Sequence, residues 1–236
     1  NSTKSEFPTG NIDSLPSTTM DINPNYQTSG LGYKGYTARQ FRLEVMAGRK
    51  ENAIKKLNDL VNWINGFEDP FSCIVSEYRH SFVRSISWTC LPMDTIKAIV
   101  KFLHDNKCVV LAVGVGHGIY PLILKHSGIK VYLTDKYPAF KGVIPLDAVE
   151  ASKAAKGVCN TLWVSWPSYR KTWAYEALKN LDPKYVVYIG EGMDGCTAND
   201  DFHKHLEDHY KITELECNRF PGIYDSVMCC IKKGTI

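Results

Sequence analysis

The sequence has no apolar run near the ~18 to 20 residues that a bilayer-spanning helix needs. Its first residues lack the basic-then-apolar order of a secretory leader. No membrane partner is expected, and an intracellular, cytoplasmic place is. Charge of one sign is scarce as well. Against 28 Lys and Arg stand 25 Asp and Glu, a net charge of +3, too mild to argue for nucleic acid and too mild to exclude it. None of the eight cysteines, at 73, 90, 108, 159, 196, 217, 229 and 230, forms a C-x-x-C pair. Several lie inside apolar runs, so they read as reduced, buried thiols and not as a disulfide scaffold. H-E-x-x-H is absent, and His203, His205 and His209 lie in a polar stretch that reads as a solvated helix face. No metal site is expected, and no internal repeat is visible. What remains is ordinary globular material, 44% hydrophobic and 22% charged, enough for one domain with a substantial core plus an extension.

The most informative stretch is Val109-Val110-Leu111-Ala112-Val113-Gly114-Val115-Gly116-His117-Gly118. An apolar run ends in three glycines spaced two apart. A helical pattern follows over 119–126, and a second apolar run then ends in an acid at Asp135. Strand, glycine turn, helix, strand and acid make half of a nucleotide site. Glycines let a ligand approach bare backbone, the helix aims free N–H groups at it, and the acid can accept from a ribose diol. A dinucleotide fingerprint, G-x-G-x-x-G, would need glycine where Ile119 stands. A nicotinamide-dependent oxidoreductase is therefore disfavoured.

G-x-G-x-G, as Gly114, Gly116 and Gly118 with Asp135 further on, resembles the first motif and ribose acid of class I S-adenosylmethionine-dependent methyltransferases. The resemblance implies S-adenosyl-L-methionine as cofactor, held by Gly114, Gly116, Gly118 and Asp135. One departure is plain: the family usually has an acid two residues before the first glycine, and here that residue is Ala112.

The order of elements points the same way. Residues 1–36, rich in Ser, Thr, Asn, Pro and Gly, read as an irregular arm. Residues 37–105 read as a helical subdomain that opens on a capping box, Thr37 with Gln40, and bends near Gly48. The core, 106–236, alternates strand candidates at 108–113, 130–134, 142–145, 161–165 and 185–190 with helices. Two further strands, 211–218 and 225–232, flank the turn Phe220-Pro221-Gly222. This predicts an α/β fold: a seven-stranded, Rossmann-like, mostly parallel sheet with a C-terminal antiparallel hairpin, as in methyltransferases.

Ligands of such sheets sit beyond the C-terminal strand ends. Ser165-Trp166-Pro167-Ser168-Tyr169 resembles the Asn-Pro-Pro-Tyr motif of amino-group methyltransferases, with Trp166 at the Asn position. Indole nitrogen only donates, so Ser165 is left to accept from an amine. Trp166 and Tyr169 either sandwich a flat acceptor, an amino or other planar nitrogen group, or Trp166, like Trp163 and Trp173, is a core aromatic under the sheet. Trp-Pro where an RNA-cap 2′-hydroxyl methyltransferase would need Asp disfavours that class. Glu191 is a candidate base or amine anchor. Asp147 either accepts from the adenine amino group, as the resemblance implies, or caps the next helix. Tyr33 or Tyr36 is placed as a lid over the cofactor. The alternative is a catalytically inactive methyltransferase-like binding or scaffolding module, favoured if side chains such as His117 plug the glycine turn.

Overall fold

A computed structural model describes residues 37–69 and 71–234. The arm and its Tyr33 and Tyr36 lie outside the described residues. Four helices come first: α1 (Ala38–Met46), α2 (Lys50–Asn65), α3 (Cys73–Ser85) and α4 (Met93–Asp105). The expected capping box starts α1. Thr37 Oγ1 accepts from the Gln40 N–H, and Gln40 Oε1 accepts from the Thr37 N–H at 2.7 Å. The chain then alternates through β1 (Val109–Val113), α5 (Ile119–His126), β2 (Lys130–Leu133), α6 (Ala148–Ala154), β3 (Thr161–Ser165), α7 (Trp173–Leu181) and β4 (Tyr185–Gly190). It ends with α8 (Asp200–His209), β5 (Tyr210–Leu215) and β6 (Ser226–Lys232). No helix among the described residues is long and apolar enough to cross a membrane.

The sheet order is β2-β1-β3-β4-β6-β5. The first four strands are parallel, and β6 runs antiparallel to both β4 and β5. Among the described residues six strands form, not seven. The segment expected as a strand at 142–145 keeps a single parallel bridge, Thr134 to Ile144. Ile144 N–H donates to Leu133 and its carbonyl accepts from Asp135. The next residue is Pro145, which has no N–H to extend the ladder, and Gly142 before it turns to φ +95°. With that bridge standing outside β2, the strand order resembles that of class I methyltransferases.

Side chains alternate along the strands as a sheet covered on both faces requires. Val110 and Ala112 join a core with α1 to α5, whereas Leu111 and Val113 join a second core with α6, α7 and α8. The helical N-terminal region therefore packs as one layer of the sandwich. From β1 the chain first adds β2 on one side, then crosses to β3 on the other. The C-terminal end of β1 is thus the switch point, where an open parallel sheet leaves a crevice.

Candidate functional site

The glycine turn follows directly on β1. Gly114, Gly116 and Gly118 hold φ of +58°, +51° and +67°, the left-handed region that side chains disfavour. Gly118 is the N-cap of α5. The three differ in what lies above them. A Cβ on Gly114 would sit 3.5 Å from Trp173, and one on Gly118 would run into the ring of Phe140. Apart from its chain neighbours Val115 and His117, a Cβ on Gly116 would meet nothing within 4 Å. Of the three, Gly116 is the one no distant residue covers.

Asp135 points at this turn from the tip of β2. Its Oδ2 accepts from the Gly116 N–H at 2.8 Å, and its Oδ1 accepts from the Tyr137 N–H at 2.8 Å. Each carboxylate oxygen has two lone-pair sites, so one on each remains free of a backbone partner. Asp135 also fixes the glycine backbone, which bears on the missing acid at Ala112. Ala112 is fully buried in β1, and its carbonyl takes both the N–H and the hydroxyl of Thr134. The loop is thus tied to β2 through two neighbouring residues, without an acid on β1.

The helical layer braces the turn from outside. Arg42 on α1 donates to the His117 carbonyl at 3.0 Å and lies 4.5 Å over the Phe140 ring. Burial, then the nearby Arg39, lowers the Arg42 pKa to about 10. His117 is tied on its other side to α3. Its ring Nε2 meets the Arg84 carbonyl at the end of α3, 3.0 Å away, and burial lowers its pKa.

The other predicted residues divide between the site and its scaffolding. Asp147 is the N-cap of α6, its Oδ1 accepting from Val149 and Glu150 at 3.0 and 2.9 Å. Of the two roles left open for it, the structure displays the cap. Glu191, just past β4, is buried, and each of its oxygens accepts one backbone N–H. Oε2 accepts from the Cys196 N–H at 2.6 Å and Oε1 from the Tyr224 N–H at 3.0 Å. Ser165 ends β3, paired with Ile189. Trp166 comes next, in the left-handed region at φ +48°, its N–H donating to Ile189 at 2.7 Å. The expected Trp166–Tyr169 sandwich is replaced by a Trp88–Trp166 stack with centroids 5.2 Å apart and planes 23° apart. Tyr169 is exposed, with Arg170 4.8 Å over its ring.

Sequence reasoning missed Trp88, Thr89 and Asp225. Asp225 is 2% exposed, and the Thr89 hydroxyl donates to its Oδ2 at 2.7 Å. Burial pushes the Asp225 carboxyl up, against the downward pulls of Thr89, the Trp166 indole and Arg219. The available signal was topological. An antiparallel strand begins at the end where its parallel neighbours finish, so the residue entering β6 reaches the ligand side. The thiols are all free, but Cys73 and Cys196 are exposed and Cys217 is half-buried, so only five of the eight are buried as expected. Among the described residues no group of three or more His, Cys, Asp or Glu could hold a metal ion.

The sequence matches no protein-family model and no curated protein. Three solved structures share features of the fold. One is the 1,6-didemethyltoxoflavin-N1-methyltransferase of Burkholderia thailandensis with bound 1,6-didemethyltoxoflavin and S-adenosylhomocysteine. It is 12% identical over 58% of this chain and 77% of that one, with a TM-score of 0.42. Another is magnesium protoporphyrin IX methyltransferase (ChlM) from Synechocystis PCC 6803 with bound SAM. It is 14% identical over 74% of this chain and 90% of that one, with a TM-score of 0.45. The third is a mutant of MtNAS in complex with S-adenosylmethionine, 12% identical over 89% of this chain and 88% of that one, with a TM-score of 0.38. With TM-scores below 0.5, none of the three likenesses supports a statement about the chemistry of this chain.

Proposed function

We propose that this protein is an S-adenosylmethionine-dependent methyltransferase acting on an amino or other planar nitrogen acceptor. The observation that carries the proposal is the open space over Gly116 beside the Asp135 carboxylate, at the switch point of the sheet. The residues there fit the cofactor. Gly114, Gly116 and Gly118 allow close approach to backbone, and the first-turn N–H groups of α5 face the same end. Asp135 has lone pairs left for two ribose hydroxyls.

Bound there, the sulfonium would supply an already activated methyl group. What is left to the side chains is alignment of the acceptor and exclusion of water. Ser165 and Trp166, at the end of β3, border the place where an acceptor would lie, with Tyr169 at its rim. Glu191 and Asp147 support this arrangement through their backbone hydrogen bonds, Glu191 by joining the 192–196 loop to Tyr224 and Asp147 by starting α6. Because alignment dominates, a charged triad is not required.

Isothermal titration with S-adenosylhomocysteine tests the proposal. Saturable one-to-one heat, weakened by Asp135→Ala, is expected. No heat and no thermal shift at millimolar ligand would refute it.

A further inference from the structure

A hollow lies between α2, α4 and the C-terminal part of α5, away from the glycine turn. Its volume is about 310 Å³, at the small end of ligand sites, which run from ~300 to 1,000 Å³. Ile54, Ile96 and Ile123, all buried, line it, and half-buried Met93 and Val100 extend the apolar surface. The lining residues of α4 run from Met93 to Lys101, about 12 Å along the helix axis. That length suits an extended chain.

The two ends of the hollow differ in charge, because α2 and α4 run antiparallel beside it. Lys50, the first residue of α2, donates to the Ser127 hydroxyl at 3.0 Å, and His104, near the end of α4, meets the Ser127 carbonyl at 3.0 Å. Further along α2, Asn58 donates to the carbonyl of Leu91, just before α4. Lys50 and Lys101 therefore share one end, Met93 holds the other, and Ile54, Ile96 and Val100 lie between. Lys50 is half-buried. Among the described residues its ammonium bonds a neutral hydroxyl and forms no ion pair. Lys97 and Lys101 have carboxylates near them, Asp94 at 3.9 Å and Asp105 at 2.6 Å, but pairs this exposed hold little. Against these three lysines the lining has one acid, Glu51.

We propose that this hollow binds a free straight-chain fatty acid, with its carboxylate on Lys50 and Lys101 and its alkyl chain running over Ile54, Ile96 and Val100 toward Met93. A half-buried ammonium without a counter-ion favours an anionic head. The apolar lining favours methylenes, each of which strengthens binding about fourfold when fully buried. The site stands whether or not S-adenosylmethionine binds at the glycine turn.

The probes are decanoate, hexanoate and the cation decyltrimethylammonium, each titrated into the full chain by calorimetry below its micellar concentration. Decanoate should bind one-to-one and at least about tenfold more tightly than hexanoate, since it adds methylenes that are at least half covered. It should exceed decyltrimethylammonium by at least about tenfold, roughly the weight of one hydrogen bond to a charged group. Lys50→Met, which keeps an apolar side chain and removes the charge, should cost decanoate about tenfold. Val100→Trp, which fills the hollow, should abolish its binding. No saturable heat with decanoate, equal affinity for the cation, or a decanoate affinity untouched by Lys50→Met would each overturn the proposal. If Val100→Trp does not fold, Lys50→Met at the rim decides. Phosphatidylglycerol vesicles are the contrast. Protein that sediments with them but does not bind decanoate would use this face on a membrane surface instead, and the proposal would fall.

Discussion

Replacing Gly116 by alanine separates a ligand-binding turn from a bare one. At φ +51° a side chain is disfavoured, which costs about 1 to 2 kcal/mol in the left-handed region. No collision with a distant residue adds to this, because nothing beyond the chain neighbours lies within 4 Å of the new Cβ. For a chain of 236 residues, each kcal/mol lowers Tm by roughly 2 to 4 °C, so the variant should melt about 2 to 8 °C below the parent. The methyl group would, however, occupy the space proposed for the adenosyl chain. S-adenosylhomocysteine should therefore raise Tm in the parent and not in Gly116→Ala, with at least about a tenfold loss of affinity, or 1.4 kcal/mol. Gly118→Ala is the contrast. Its Cβ would run into Phe140, so overpacking of roughly 1 to 3 kcal/mol is added to the backbone cost, and Gly118→Ala should melt lower than Gly116→Ala. Thermal denaturation with and without ligand reads both effects. Gly116→Ala binding S-adenosylhomocysteine as tightly as the parent would refute the placement of the cofactor.

Glu191→Gln should destabilise the fold by roughly 2 to 3 kcal/mol in chemical denaturation. An amide has one oxygen for two backbone N–H groups, from Cys196 and Tyr224, and a change within error would show that the clip is not needed. Asp225 should leave a signature in pH. Burial raises its pKa in the folded chain, so between the ordinary value near ~3.9 and the folded value the native state binds more protons than the unfolded one. Stability from this group is greatest below that window and is lost as pH rises through it. Asp225→Asn removes that slope, so its Tm relative to the parent should rise with pH across the window; a constant difference would contradict the assignment. With Ellman's reagent, Cys73 and Cys196 should react first in the native protein, since both are exposed. Burial holds Cys159 and Cys229 up at about 12. Rapid reaction of more than those two and half-buried Cys217 would contradict the burial pattern.

Much of this was legible in the residues because the signals are local. Gly114, Gly116 and Gly118 announce a turn by spacing, and Thr37 with Gln40 marks a helix start within four residues. Strand periodicity alone did not reveal that Pro145 would reduce a strand to one bridge, because an apolar run looks the same until its donors are counted. Other contacts near Trp166 were hidden for another reason. Thr89 and Asp225 are 136 residues apart, and only the return of the chain through antiparallel β6 brings them together. Nor did the motif at 165–169 announce that Trp166 would take a left-handed backbone and stack on Trp88.

The most direct measurement is a crystal structure of the protein soaked with S-adenosylhomocysteine. Ribose hydroxyls are expected within hydrogen-bond distance of both Asp135 oxygens, with the chain to sulfur passing over Gly116. Density elsewhere, or a crevice that stays empty at saturating ligand, would contradict the cofactor site.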